Sequence, residues 1–185
     1  MKHAFAVGLA LFGAVAAGPS FAHAHGDHQG HAQGDHAAHA HAGHGAQAMP
    51  SPDAMAAMPV SASVAVSDCW IRLLPSPAPS AGYFIAANKG AETATLAGAA
   101  SASYGHVMLH QTTHTDGMSR MSHVQGVEIP AGQKLEFKPG GYHIMLEKPS
   151  GEIKVGDTVP MQFLLASGEK AQADCEVKPA NTLAK

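Results

Sequence analysis

Residues 60–179 predict an all-β sandwich. Short segments rich in β-branched and aromatic residues alternate in hydrophobicity, turn residues separate them at regular intervals, and no stretch sustains a helical period. Composition agrees: 20 Gly and 12 Pro among 185 residues, with 5% aromatics, suit a loop-rich β protein better than a helical bundle. In chain order the expected strands are Val64–Val66, Trp70–Leu74, Gly82–Asn88, His106–Thr112, Met121–Val127, Lys134–Phe137, His143–Leu146, Thr158–Leu165 and Ala171–Val177. The turns between them are marked by Pro75-Ser76-Pro77, Asn88-Lys89-Gly90, Asp116-Gly117, Pro130-Ala131-Gly132, Pro139-Gly140-Gly141 and Gly156-Asp157. Asp116-Gly117 is a strong two-residue hairpin signal, because both residues tolerate the positive φ that such a turn requires.

The chain before residue 60 has a different texture. Met1-Lys2-His3 is a short basic start, Ala4–Ala17 is apolar, Gly18-Pro19 breaks any helix, and Ser20-Phe21-Ala22 offers small residues to a signal peptidase. The run is shorter than the roughly 20 apolar residues of a membrane anchor. Residues 1–22 are therefore expected to be a secretory signal, which makes the mature protein soluble and exported. Residues 23–59 are dominated by Ala, His, Gly and Gln, with almost no branched aliphatics or aromatics, a composition that cannot offset its own chain entropy. We expect a disordered His-rich N-terminal tail there, a sandwich over 60–179, and a short polar end over 180–185.

Charge narrows the function. A net charge of -3, with 14% charged residues, is the wrong sign and too weak for a nucleic-acid surface. No Ser-His-Asp order, nucleotide-binding glycine loop or HExxH helix is present, so a binding protein is expected and not an enzyme. The export signal places Cys69 and Cys175 in an oxidising compartment, where a disulfide between the first and last strands is the preferred reading. Neither cysteine has a His or Met close by in sequence, so neither resembles a blue-copper ligand.

The conspicuous residues are 14 His and 9 Met. Within the domain they recur as His110, Met121 and the pair His143 and Met145. Residues 143 and 145 are two apart, so on a strand they share a face. With Asp116-Gly117 as the turn, His110 lies opposite His123, and Met121 is its diagonal neighbour on that same face. Approach of the 143–145 strand would then close a His2Met2 cluster. Taken alone, a strand methionine is more often core filler, so the weight rests on the whole set. Thioethers are soft and uncharged and favour Cu(I) over zinc or hard cations. They also withstand an oxidising compartment better than thiolates do.

The spacing His110-x10-Met121-x21-His143-x-Met145 resembles the signature of the periplasmic PCu(A)C copper chaperones. Trp70-Ile71-Arg72, Gly82-Tyr83-Phe84 with Asn88-Lys89-Gly90, and Pro139-Gly140-Gly141-Tyr142-His143-Ile144-Met145-Leu146 are similar to further family segments. The resemblance implies a cupredoxin-like, Ig-like Greek-key sandwich that carries Cu(I) at its surface. It also implies delivery to the CuA centre of cytochrome c oxidase, alongside Sco-type proteins. Gln111 stands where members often carry a methionine, and His114, Met118 and His123 are extra soft groups. A periplasmic monomer is expected, and the alternative is a copper-sequestering protein with no dedicated acceptor.

In the tail, His23, His25, His28, His31, His36, His39, His41 and His44 offer imidazoles that suit Cu(II), Zn(II) or Ni(II). Signal cleavage after Ala22 would expose His23-Ala24-His25, whose amine, amides and third-position imidazole can form a square-planar Cu(II) site. Cleavage after Ala24 would remove that arrangement. Met49, Met55 and Met58 are candidate Cu(I) acceptors between tail and domain. The tail is expected to capture Cu(II) and raise the local copper concentration near the domain.

Overall fold

The structure, a computed structural model, describes residues 49–183. A short helix, α1 (Pro52–Ala56), precedes ten strands. These are β1 (Val64–Arg72), β2 (Ser80–Asn88), β3 (Ala94–Ala100), β4 (Tyr104–Thr115), β5 (Met118–His123), β6 (Val127–Ile129), β7 (Lys134–Phe137), β8 (Tyr142–Pro149), β9 (Thr158–Leu165) and β10 (Lys170–Lys178). Hydrogen bonding runs in the order β5-β4-β8-β2-β1-β10-β9-β3-β6, with β7 added on β2.

Strand β2 belongs to both layers of the sandwich. Its start, Ser80–Gly82, pairs with β8, and its end, Phe84–Ala87, pairs with β7. Phe84 is buried and stacks on Phe137 at 4.2 Å and against Phe163 at 4.5 Å, so aromatic rings from three strands fill the centre. Gly82 lies where Ile144 needs space: a Cβ there would meet the Ile144 side chain at 2.5 Å. Asn88, buried at the end of β2, donates from Nδ2 to the carbonyls of Glu92 and Ile129 and accepts from the Gly90 amide.

A bulge interrupts the β1–β2 ladder between Ser67 and Trp70, with Asp68 at φ 53°. Val64 and Val66 point inward before it, Cys69 and Ile71 after it. The extra residue thus reverses the inward parity and turns Cys69 toward β10. Cys69 and Cys175 form a disulfide, 106 residues apart in sequence, that joins β1 to β10.

Three expectations need correction. The composition of 23–59 predicts disorder throughout, but α1 lies within it and is part of the body. Ser51 caps α1 by accepting from the Ala54 amide, Pro52 occupies its first turn, and Met55 is fully buried. Lys170 Nζ donates to the Ala56 carbonyl at 2.6 Å, and Gln162 Nε2 to the Pro52 carbonyl at 3.3 Å. Composition alone missed this because one methionine and a few backbone carbonyls do the anchoring. Met55 is consequently core and not a copper acceptor. Strand β3, sequence ATLAGAA, is also absent from the expected set, since Thr95 alone among its mostly small residues carries a β-branched signal. The expected Met121–Val127 strand is two elements, β5 and β6. The signal, residues 1–22, and the histidines from His23 to His44 lie outside the described residues.

Candidate metal centre

Three neighbouring strands build the candidate site. Asp116 and Gly117 have φ values of 52° and 76°, the positive pair that a tight hairpin demands, and they join β4 to β5. The resulting register puts His110 opposite His123 and Thr112 opposite Met121. On the other side of β4, His110 faces His143 and Met108 faces Met145. Directly paired residues share a face. Met108, His110 and Thr112 of β4, Met121 and His123 of β5, and His143 and Met145 of β8 therefore lie on one face. The core receives the alternate residues, Leu109, Ile144 and Leu146.

Pro139-Gly140-Gly141 sets the orientation of His143. Gly140 has a φ of 80°, and the turn aims the Gly141 carbonyl back along β8. That carbonyl accepts from the Thr112 amide at 3.0 Å, which ties it to the ladder, and from His143 Nδ1, also at 3.0 Å. A carbonyl only accepts, so Nδ1 carries the hydrogen and the neutral ring presents a lone pair at Nε2. A backbone carbonyl holding the far nitrogen in this way is the usual support of a metal-binding histidine.

His143 Nε2 stands 3.2 Å from Met121 Sδ. Met121 is on β5 and His143 on β8, so the thioether reaches across β4 above Thr112. In the neutral ring both atoms are acceptors, and no hydrogen lies between them. Two donors to one metal at about 2.0 Å for nitrogen and 2.3 Å for sulfur would sit about 3.5 Å apart at a tetrahedral angle. The observed spacing is close to that.

His110 and His143 have ring centroids 5.9 Å apart at 74°. Both rings are almost fully buried, whereas Met121 remains 54% exposed. His110 Nδ1 is buried and has no hydrogen-bond partner. Burial, then the nearby His143 and His123, hold the His110 pKa below the ordinary histidine value, with Glu147 opposing. A neutral imidazole with an unpartnered nitrogen is what a soft cation requires. Met145 is half-buried on the same face, opposite Met108 and beside Ala81. Among the described residues no three His, Cys, Asp or Glu side chains converge as a metal cluster.

Sequence reasoning overlooked the wall behind His143. Tyr83 lies 6.3 Å from the His143 ring and stacks on Trp70 at 4.5 Å, with the Arg72 guanidinium 5.3 Å from the Tyr83 ring centre. Burial raises the Tyr83 pKa against the opposing charge of Arg72, which keeps the phenol neutral. Met108 was also overlooked, although its position two residues before His110 places it on the same face by the alternation that located Met145. His114 is exposed and pairs with Ser119 through Nδ1 at 2.9 Å, and Met118 projects from the opposite face of the hairpin. Both cysteine sulfurs are in the disulfide, so neither is a thiolate ligand.

Comparison with known proteins gives the class first. The structure resembles the apo PmoF2 PCuAC domain at a TM-score of 0.56, covering 69% of this chain and 98% of that domain at 19% identity. It also resembles the Cu(I) form of DR1885 from Deinococcus radiodurans, at a TM-score of 0.50 and 30% identity, over 73% of this chain and 83% of that one. The fold is thus a PCuAC-type β-sandwich. The model of the family described as "Putative lipoprotein LpqE-like" matches residues 64–177. The protein described as "Putative lipoprotein Lxx21020" from Leifsonia xyli subsp. xyli is 30% identical over 116 residues, which span 62% of this chain and 69% of that protein. Protein RP573 of Rickettsia prowazekii is 31% identical over 103 residues, spanning 55% and 56% respectively. The chain belongs to the LpqE-like family of PCuAC-type domains.

Proposed function

We propose that this protein is an exported copper chaperone that holds Cu(I) between His110, Met121, His143 and Met145 and passes it on by ligand exchange. The observation that carries this reading is the 3.2 Å approach of His143 Nε2 to Met121 Sδ, a ring nitrogen and a thioether brought together by separate strands. The 30%-identical relative in its Cu(I) form supports the choice of metal, as does the softness of two thioethers with two neutral imidazoles.

The geometry suits release as well as capture. Met121 is exposed on the edge strand β5, so its sulfur can leave the metal while the buried His110 and His143 retain it. An acceptor with thiolates or more ligands then takes the ion stepwise. The CuA subunit of cytochrome c oxidase is the acceptor we propose, with Sco-type proteins acting beside it. The periplasm is the proposed compartment, the working form is a monomer, and the eight tail histidines capture Cu(II) upstream of the domain.

X-ray absorption of the Cu(I)-loaded full chain tests the site. Sulfur and nitrogen neighbours are expected, and the sulfur shell should be lost in the Met108→Ala/Met121→Ala/Met145→Ala variant. A metal with nitrogen neighbours only would overturn the reading. The eight tail imidazoles favour copper sequestration as the second reading. Gene deletion separates the two: loss of oxidase activity at low copper indicates delivery, and heightened copper sensitivity alone indicates sequestration.

A further inference from the structure

His123, His110 and His143 stand at one level on three adjacent strands, with His110 in the middle. The two outer pairs are nearly equivalent. His110–His123 centroids are 5.9 Å apart with rings at 86°, and His110–His143 centroids are 5.9 Å apart with rings at 74°. Two imidazoles that share one metal at about 2 Å from each nitrogen have ring centres roughly 5.1 Å apart at a tetrahedral angle and roughly 6.3 Å apart when collinear. Either pair can therefore span one ion; Met121 sits two residues before His123 on β5, but its sulfur is turned to His143 Nε2, so the thioether serves the His143 side. Exposure differs too: His143 is buried, whereas His123 is exposed on the edge strand.

We propose that His110 and His123 form an outer copper-binding station that shares His110 with the inner His143–Met121–Met145 set, so that Cu(I) enters and leaves through His123. This rests on the Cu(I) reading of the inner site. The step is a ligand exchange without redox change: the His123–copper bond breaks as the bonds to Met121 or His143 form, and His110 remains bound throughout. The all-nitrogen outer pair is the harder and weaker host for Cu(I), so the ion comes to rest inside. A shared central ligand lets it move without being released to water.

The test is His123→Asn in the full chain, a change at an exposed edge position whose ring faces His110. Cu(I) supplied as a chromophoric chelate is followed by stopped-flow, and affinity is measured by equilibrium competition with the same chelator. Transfer in both directions is expected to slow about tenfold, equivalent to about 1.4 kcal/mol on the barrier, while the equilibrium affinity stays within about twofold of wild type. Unchanged rates would overturn the outer station, leaving His123 a bystander. An affinity loss matching the rate loss would also overturn it, since His123 would then be a ligand of the resting site. Wild-type protein that takes no Cu(I) from the chelate would instead defeat the inner-site reading, and this proposal with it.

Discussion

Met108 on β4 lies directly opposite Met145 on β8, two pairs along the ladder from His110 and His143. A second thioether therefore stands beside Met145, whereas Met121 is opposite Thr112 and has no such understudy. The two methionines should differ in what their loss costs. Met121→Ala is expected to weaken Cu(I) binding about 100-fold and Met145→Ala about tenfold, a gap of about 1.4 kcal/mol. Adding Met108→Ala to Met145→Ala should close the gap. Competition with a Cu(I) chelator measures all three, and equal losses for the single variants would refute the role given to Met108.

Acid should destabilise the metal-free protein through His110. Burial and the neighbouring histidines hold its pKa down in the folded state. Between that lowered value and about 6.5 the unfolded chain binds more protons at this position, so stability rises with pH across the window. The urea midpoint of the apo protein is expected to fall from pH 7 to about pH 5.5. His110→Asn should make the profile flatter, and an identical slope in that variant would remove His110 as the cause.

The cross-link from β1 to β10 closes a loop of 106 residues. Constraining a loop of that size in the unfolded chain contributes about 4–5 kcal/mol in the chain-entropy model. Cys69→Ala/Cys175→Ala should lose a comparable amount in urea unfolding while keeping Cu(I) affinity, because the sulfurs lie inside the core and the ligands on the outer face. A weakened affinity in the folded variant would contradict that separation.

Met55 gives a third, independent contribution. Its full burial under α1 predicts that Met55→Ala costs about 2 kcal/mol or more, again without change in copper affinity. The practical corollary concerns tail deletions. Removing residues 23–47 tests the histidines alone, whereas a cut through residue 59 would also strip a core side chain.

Trp70 is the single tryptophan, stacked on Tyr83, which in turn borders His143. Cu(I) loading is expected to change its emission in proportion to occupancy, with saturation at one equivalent. The response should vanish in His143→Ala and persist in His114→Ala. An unchanged spectrum on loading would place the metal elsewhere.

Much of this arrangement is legible in the sequence because it depends on short-range rules. Asp116-Gly117 dictates the hairpin, the hairpin dictates that His110 faces His123, and strand alternation puts His143 beside Met145. The cysteine pairing followed from the compartment and needed no geometry. What escaped depends on distant partners. Ala94–Ala100 becomes a strand because β9 and β6 flank it, and Leu96 is its one large core side chain. Met55 is core because Lys170 and Gln162 fasten its helix. The Met121–His143 contact spans an intervening strand, and the alternation rule gives only the face on which the two must meet.

The irregularity at Asp68 has a genetic consequence. One surplus residue there shifts the phase of everything after it in β1. Losing that codon in frame would swap inside for outside: the lone indole would be driven toward the oily interior, and Cys69 would swing to the wet side, out of its partner's reach. A three-nucleotide deletion in an exposed kink would thus unstitch the protein more thoroughly than most substitutions at its centre.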